Sequence, residues 1–194
     1  MAEITTELVK SLRDETGVSI MQCKKALEEA GGDKAKALVI LRKKSADIAA
    51  KKGDRELGSG TVAAYIHAGG AVGAMVLLSC ETDFVSKNED FKKLAYDIAM
   101  QVAATGPKYA RRENVTAEEM EKVREVFMKE VEGKPKDIQE KILSGKIDSY
   151  FADKILLEQP FIKDDSVTIE ALIERATQKF GERIKLSHFT RLSA

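Results

Sequence analysis

The sequence of 194 residues has only two cysteines, Cys23 and Cys80, far apart and outside any CxxC spacing. That scarcity excludes a disulfide framework and fits a reducing cytosol. Histidine is as rare, with only His67 and His188, so a zinc site built from His and Cys is not expected. Excess charge of either sign is missing too, because 32 Lys and Arg balance 32 Asp and Glu. A globally basic nucleic-acid binder and a polybasic membrane protein are therefore disfavoured. Catalytic signatures are also lacking: there is no Walker loop, GxSxG, HExxH or GxGxxG, and no nucleophile or acid–base pair rises above background. The glycines before Val72 precede a strand, so they make no phosphate cradle. Neither a cationic segment nor an apolar run opens the chain, and no signal peptide is expected there. The uncharged stretch Leu57 to Cys80 has the length of a membrane span. Five glycines and His67 interrupt it, however, and a buried hairpin explains it better.

What is present is enough for a buried core, with 43 % hydrophobic and 33 % charged residues. Three short helices are expected in the first fifty residues. Ile4, Leu8 and Leu12 form one apolar stripe ended by Gly17. Ser19 and Gln22 have capping-box spacing for a second helix that stops at Gly31-Gly32. Asp33 caps a third, carrying Ala35, Leu38, Val39 and Leu41. Residues 1–50 thus read as a small bundle and 51–57 as a basic linker. Residues 58–194 read as an α+β core whose three-stranded antiparallel sheet packs against helices.

In that core, a strand over Thr61–His67 turns at Ala68-Gly69-Gly70 into a second strand from Val72. Ser86 and Glu89 have capping-box spacing for a helix with Phe91, Leu94, Ala95, Ile98 and Val102, which ends at Gly106-Pro107. Thr116 caps a helix with Met120, Val123, Phe127 and Val131 that stops near Gly133. Pro135 opens a shorter helix ended by Gly145, and Ile147 to Ile155 reads as one more. Leu156 to Ile162 reads as extended around Pro160. A last helix over Ile169 to Phe180 stops at Gly181, and the alternation from Ile184 to Leu192 is a final strand.

Two segments invite a functional reading. Eight basic residues between Lys34 and Arg55 stand against Asp47 and Asp54. They form either a phosphate-facing patch or a solvated linker helix, and the absence of interleaved aromatics favours the helix. Cys80-Glu81-Thr82-Asp83-Phe84-Val85-Ser86-Lys87 links a buried strand to a helix, which places Thr82 to Val85 in a loop. There Phe84 either folds under the helix as a core residue, or stands out beside Asp83 as an apolar probe for a partner.

The stretch Leu12-Arg13-Asp14-Glu15-Thr16-Gly17-Val18-Ser19-Ile20-Met21-Gln22-Cys23-Lys24-Lys25-Ala26-Leu27 resembles the N-terminal hallmark of the elongation factor Ts family of bacteria and organelles. Cys80 to Lys87 resembles that family's second hallmark. Tyr65-Ile66-His67, Gly133-Lys134-Pro135 and Glu158-Gln159-Pro160-Phe161 are also similar to family segments. The likeness covers essentially the whole chain, at the length of one-module members. Gln22 departs from a common aspartate, and Leu77 and Ser79 depart from a common glutamate and asparagine.

The resemblance implies a UBA-like N-terminal bundle and a guanine-nucleotide exchange factor for elongation factor Tu. Such a factor is not an enzyme in the bond-making sense and uses no cofactor or metal of its own. It binds the GDP-bound and nucleotide-free GTPase and disturbs the Mg²⁺ and phosphate site. Carried over, Thr82, Asp83, Phe84 and Val85 meet the GTPase, with Phe84 as the wedge. Arg13, Met21 and Lys24 dock the bundle, and His67 either contacts the nucleotide domain or is a satisfied strand-end histidine. The final strand either completes the sheet of a monomer or serves a homodimer, with Ile184, Leu186 and Leu192 in one apolar row and Phe189 on the opposite face. A cytoplasmic location is expected, with no membrane partner and no direct nucleic-acid contact. The competing readings are a non-catalytic adaptor and an RNA-binding module using residues 34–55.

Overall fold

A computed structural model describes residues 4–132 and 135–194. The Met1 to Glu3 start, the Gly133 stop and the Gly133-Lys134 part of the family-like segment lie outside them. Three helices open the chain: α1 (Thr6–Thr16), α2 (Ile20–Glu29) and α3 (Lys34–Lys51). Their ends are set by local chemistry. The side chains of Thr5, Ser19 and Asp33 each accept a backbone N–H from three residues ahead, satisfying donors that a helix start leaves free. Gly17 ends α1 at φ 67°, a left-handed conformation that glycine adopts without penalty. Val9, Leu12, Val18, Cys23, Ala26, Leu27, Ala37 and Leu41 form one buried cluster. On α3 the inward face is Ala37, Leu41 and Ser45, spaced by four, which turns Ala35 and Val39 outward, contrary to expectation.

Strands β1 (Ser59–Ile66) and β2 (Val72–Cys80) form the hairpin, closed by the His67 N–H donating to the Val72 carbonyl at 2.8 Å. With β5 (Lys185–Ser193) they make a three-stranded antiparallel sheet in the order β1-β2-β5. Gly60 is required here by close approach, since a Cβ would sit 2.8 Å from the Leu78 carbonyl. After β2 come a one-turn helix α4 (Asp83–Ser86) and the long α5 (Glu89–Thr105). Ser86 is therefore not the cap of α5. That role falls to Asn88, whose side-chain carbonyl accepts the Asp90 N–H at 2.9 Å.

Helices α6 (Ala117–Val131) and α7 (Lys136–Ala152) follow. Gly145 does not end a helix, and the two helices expected around it are one. Its exposed position in mid-helix costs about 1 kcal/mol relative to alanine, and packing of Leu143 and Phe151 to either side keeps the helix continuous. The segment expected to be extended holds a 3₁₀ turn at Leu156–Glu158. It then enters β3 (Pro160–Phe161), paired antiparallel with β4 (Asp164–Thr168) in a second, two-stranded sheet. Helix α8 (Ile169–Phe180) ends at Gly181, φ 71°.

The chain divides into two compact units. One gathers the chain up to Ala63, Val76–Asp97 and Glu170–Ser187; the other gathers Ala64–Met75, Ile98–Ile169 and His188–Ala194. In the first, Phe91 is fully buried and meets the Phe180 ring edge-on, with centroids 6.1 Å apart. In the second, Val123, Phe151 and Ile155 form a core flanked by Tyr109, Phe127 and Tyr150. A buried amide network also holds Gln101, which donates to Gln159 and to the Pro160 carbonyl and accepts the Ile162 N–H.

Candidate functional site

The segment expected as a loop at Thr82 to Val85 is the start of α4, and its side chains divide sharply. Val85 and Ser86 are buried, while Phe84 is 81 % exposed. Phe84 therefore does not fold back into the core. Beside it, the Asp83 carboxylate takes the Lys87 ammonium at 2.6 Å, across one helical turn. That hydrogen bond, aided by the lysine's charge, holds the Asp83 carboxyl below its ordinary range, so a full negative charge stands next to the ring at neutral pH.

The turn is pinned from beneath. The Thr61 hydroxyl donates to the Ser86 carbonyl at 2.8 Å, and Ser59 donates to the Ser86 hydroxyl at 2.9 Å. The Cys80 thiol donates to the Thr82 carbonyl at 3.1 Å. Burial, and after it the charge of Glu182, pushes that thiol up. It stays protonated as a donor, and Cys80 behaves as a small buried group and not as a nucleophile. Cys23 is likewise buried, and burial raises it.

On the bundle, Arg13, Met21 and Lys24 are exposed, Met21 at 66 %. Lys24 lies 3.9 Å from Glu28, a loose surface pair that holds the lysine only weakly. Ile20, next to Met21 at the start of α2, is also exposed, at 57 %. Sequence reading passed it over, although two large apolar residues directly after a Ser cap are a visible signal. These residues and Thr82 to Val85 fall in the first unit, whereas His67 falls in the second. His67 is exposed, and its Nδ1 lies 3.0 Å from the Tyr65 hydroxyl.

Two of the departures from the family pattern, Gln22 and Ser79, have internal partners. Gln22 accepts from Gln178 at 3.0 Å, and Gln178 in turn accepts from buried Ser45. Ser79 bonds Ser187 at 2.8 Å. Of the eight basic residues from Lys34 to Arg55, five are engaged within the fold: Lys34 with Glu15, Lys36 with Asp33, Lys44 with Glu29, Lys52 with the Gly181 carbonyl, and Arg55 with Glu81. This distribution favours a helix integral to the bundle over a phosphate-facing patch.

Among the described residues no group of three or more His, Cys, Asp or Glu can hold a metal ion, and no helix is long and apolar enough to cross a membrane. The exposed Phe84 ring and the adjacent Asp83 charge thus stand together on a turn pinned from beneath. A sequence profile described as Elongation factor TS matches residues 47–194. Elongation factor Ts of Desulforamulus reducens is 48 % identical over 193 residues, covering 98 % of this chain and 89 % of that protein. The Thermotoga petrophila protein of the same name is 48 % identical over 189 residues, covering 97 % and 95 %. That of Carboxydothermus hydrogenoformans is 48 % identical over 190 residues, covering 97 % and 88 %. The chain belongs to the elongation factor Ts family.

Proposed function

We propose that this chain carries out guanine-nucleotide exchange on elongation factor Tu by pressing Phe84 and Asp83 against the GTPase, disturbing its Mg²⁺ and phosphate site. Exchange on that GTPase during translation elongation is the family's role. It makes and breaks no covalent bond. The observation that carries the reading is the 81 % exposure of Phe84 on a turn whose base is buried. A large ring held out in water is a poor choice for stability and a good one for a partner's pocket. Exchange by contact is reciprocal: whatever weakens GDP on the GTPase weakens the factor when GDP is bound. A coupling of about 3 kcal/mol changes GDP affinity by roughly two orders of magnitude. Val85 seats the turn from below, Thr82 begins it, and His67 touches the nucleotide domain from its own unit. The factor acts in the cytoplasm.

The bundle formed by α1, α2 and α3 is read as a UBA-like docking module for the GTPase, presenting Arg13, Met21 and Lys24. The double variant M21E/K24E should bind elongation factor Tu about tenfold more weakly by calorimetry. Its thermal unfolding should be unchanged, because both side chains are exposed. Unaltered affinity removes the bundle from the contact.

A non-covalent homodimer is the second element of the reading. The apolar row expected on the last strand needs correction, since Ile184 and Leu186 are buried at 6 % and 3 %. Of that row only Leu192 is exposed, and it lines one groove with Ile66, Met75 and Thr190. Both cysteines are buried, so such a dimer is insensitive to reductant and dependent on concentration. Sedimentation at micromolar concentration should give twice the 21.4 kDa chain mass. A single monomeric species fully active in GDP release eliminates it.

A further inference from the structure

Two carboxylates, Glu81 and Glu182, clasp the chain directly before Phe84, and Glu182 lies outside the hallmark that presents the ring. After α8, Gly181 adopts φ 71° and turns the chain back, so that Glu182 reaches the end of β2. One Glu182 oxygen accepts the backbone N–H groups of Glu81 at 3.1 Å and Thr82 at 3.0 Å. The other accepts the Thr82 hydroxyl at 2.5 Å. The exchange is mutual: Glu81 accepts the Arg183 N–H at 2.5 Å and pairs with the Arg55 guanidinium at 3.0 Å. The Arg183 guanidinium closes the ring by donating to the Arg55 carbonyl, and the Lys52 ammonium donates to the Gly181 carbonyl at 2.5 Å. Burial pushes the Glu81 carboxyl up, but the Arg183 N–H and the Arg55 charge outweigh it, and the net shift is downward. The Glu81 side of the clasp is therefore in place at every pH above the ordinary carboxylate range and is lost as pH falls through that lowered value.

We propose that Glu182 is a positioning residue for exchange, acting through the Thr82 backbone to hold Phe84 at one fixed angle. The inference rests on the reading of Phe84 as the partner contact. Thr82 stands at the N-cap of α4, yet its hydroxyl makes no cap bond and is directed to Glu182 instead. Thr82 is exposed, so without Glu182 its N–H and hydroxyl turn to water at little loss of stability. What is lost is preorganisation. The turn then samples several orientations, and the partner must order it on docking. Glu182 thus carries a larger share of exchange than of folding.

The test compares E182A, E182Q, F84A and the double variant E182A/F84A for release of a fluorescent GDP analogue from elongation factor Tu, with thermal unfolding alongside. E182A should lose about tenfold in release efficiency, the size expected for charge-assisted hydrogen bonds, with an unfolding temperature near that of the unsubstituted chain. E182Q keeps an oxygen for the two amides and should retain most of the activity. In the F84A background, E182A should cost nothing further, because both act through the same ring. Normal release by E182A beside an impaired F84A overturns the positioning role and leaves the Phe84 contact standing. Multiplying losses in the double variant, or a large fall in unfolding temperature for both Glu182 variants, also overturn it and assign Glu182 to the fold. Normal release by F84A sinks the Phe84 reading itself, and with it the proposal.

Discussion

Phe84→Ala should leave a folded protein that releases GDP from elongation factor Tu poorly. The ring is 81 % exposed, so its removal takes almost nothing from the core, and stability should shift by no more than about 0.5 kcal/mol. At an interface the same truncation removes an anchoring aromatic, typically worth about 2 kcal/mol or more, or roughly thirtyfold in affinity. Stopped-flow GDP release and thermal unfolding, measured on one preparation, separate the two quantities. A large fall in unfolding temperature with normal exchange by the surviving folded protein would place Phe84 in the core.

Phe91→Ala should do the opposite. Seven residues further along, this phenylalanine is fully buried and meets Phe180 edge-on. Truncating it opens a cavity at a cost of about 3–5 kcal/mol, including about 1 kcal/mol for the lost aromatic pair. For a chain of this length the unfolding temperature should fall by about 10 °C. At a temperature where the variant remains folded, its exchange activity per folded molecule should stay within about twofold of normal, because the cavity leaves the Phe84 surface bonds in place. An unchanged unfolding temperature would contradict the burial. A specific loss of exchange by stable protein would make Phe91 part of the working surface.

The two phenylalanines show how far the sequence could be read. Helical periodicity marks Phe91 as core, because Ala95, Ile98 and Val102 repeat its position, and all are buried. Phe84 sits on one turn with no period to consult, and composition allowed both a folded-back and an exposed ring. Resemblance to a family weighted the exposed one. Local chemistry was legible elsewhere: Ser19, Asp33 and Thr116 cap helices, and Gly17 and Gly181 stop them at positive φ. It misled at Ser86, which has cap spacing but bonds Ser59 and the Asp83 carbonyl in the preceding turn, and at Gly145, where tertiary packing overrides a weak propensity. The pairing of β3 with β4 escaped notice because two residues are too few to alternate. Glu182 lay beyond any spacing argument, since it reaches Thr82 across 100 positions.

The account stands most directly on GDP release from purified elongation factor Tu, timed with and without substoichiometric amounts of the intact chain. Release accelerated many-fold, with each molecule of the chain discharging GDP from several molecules of the GTPase in turn, is the predicted result. A folded chain that binds elongation factor Tu yet leaves the release rate at its intrinsic value would contradict the account and make the protein an adaptor.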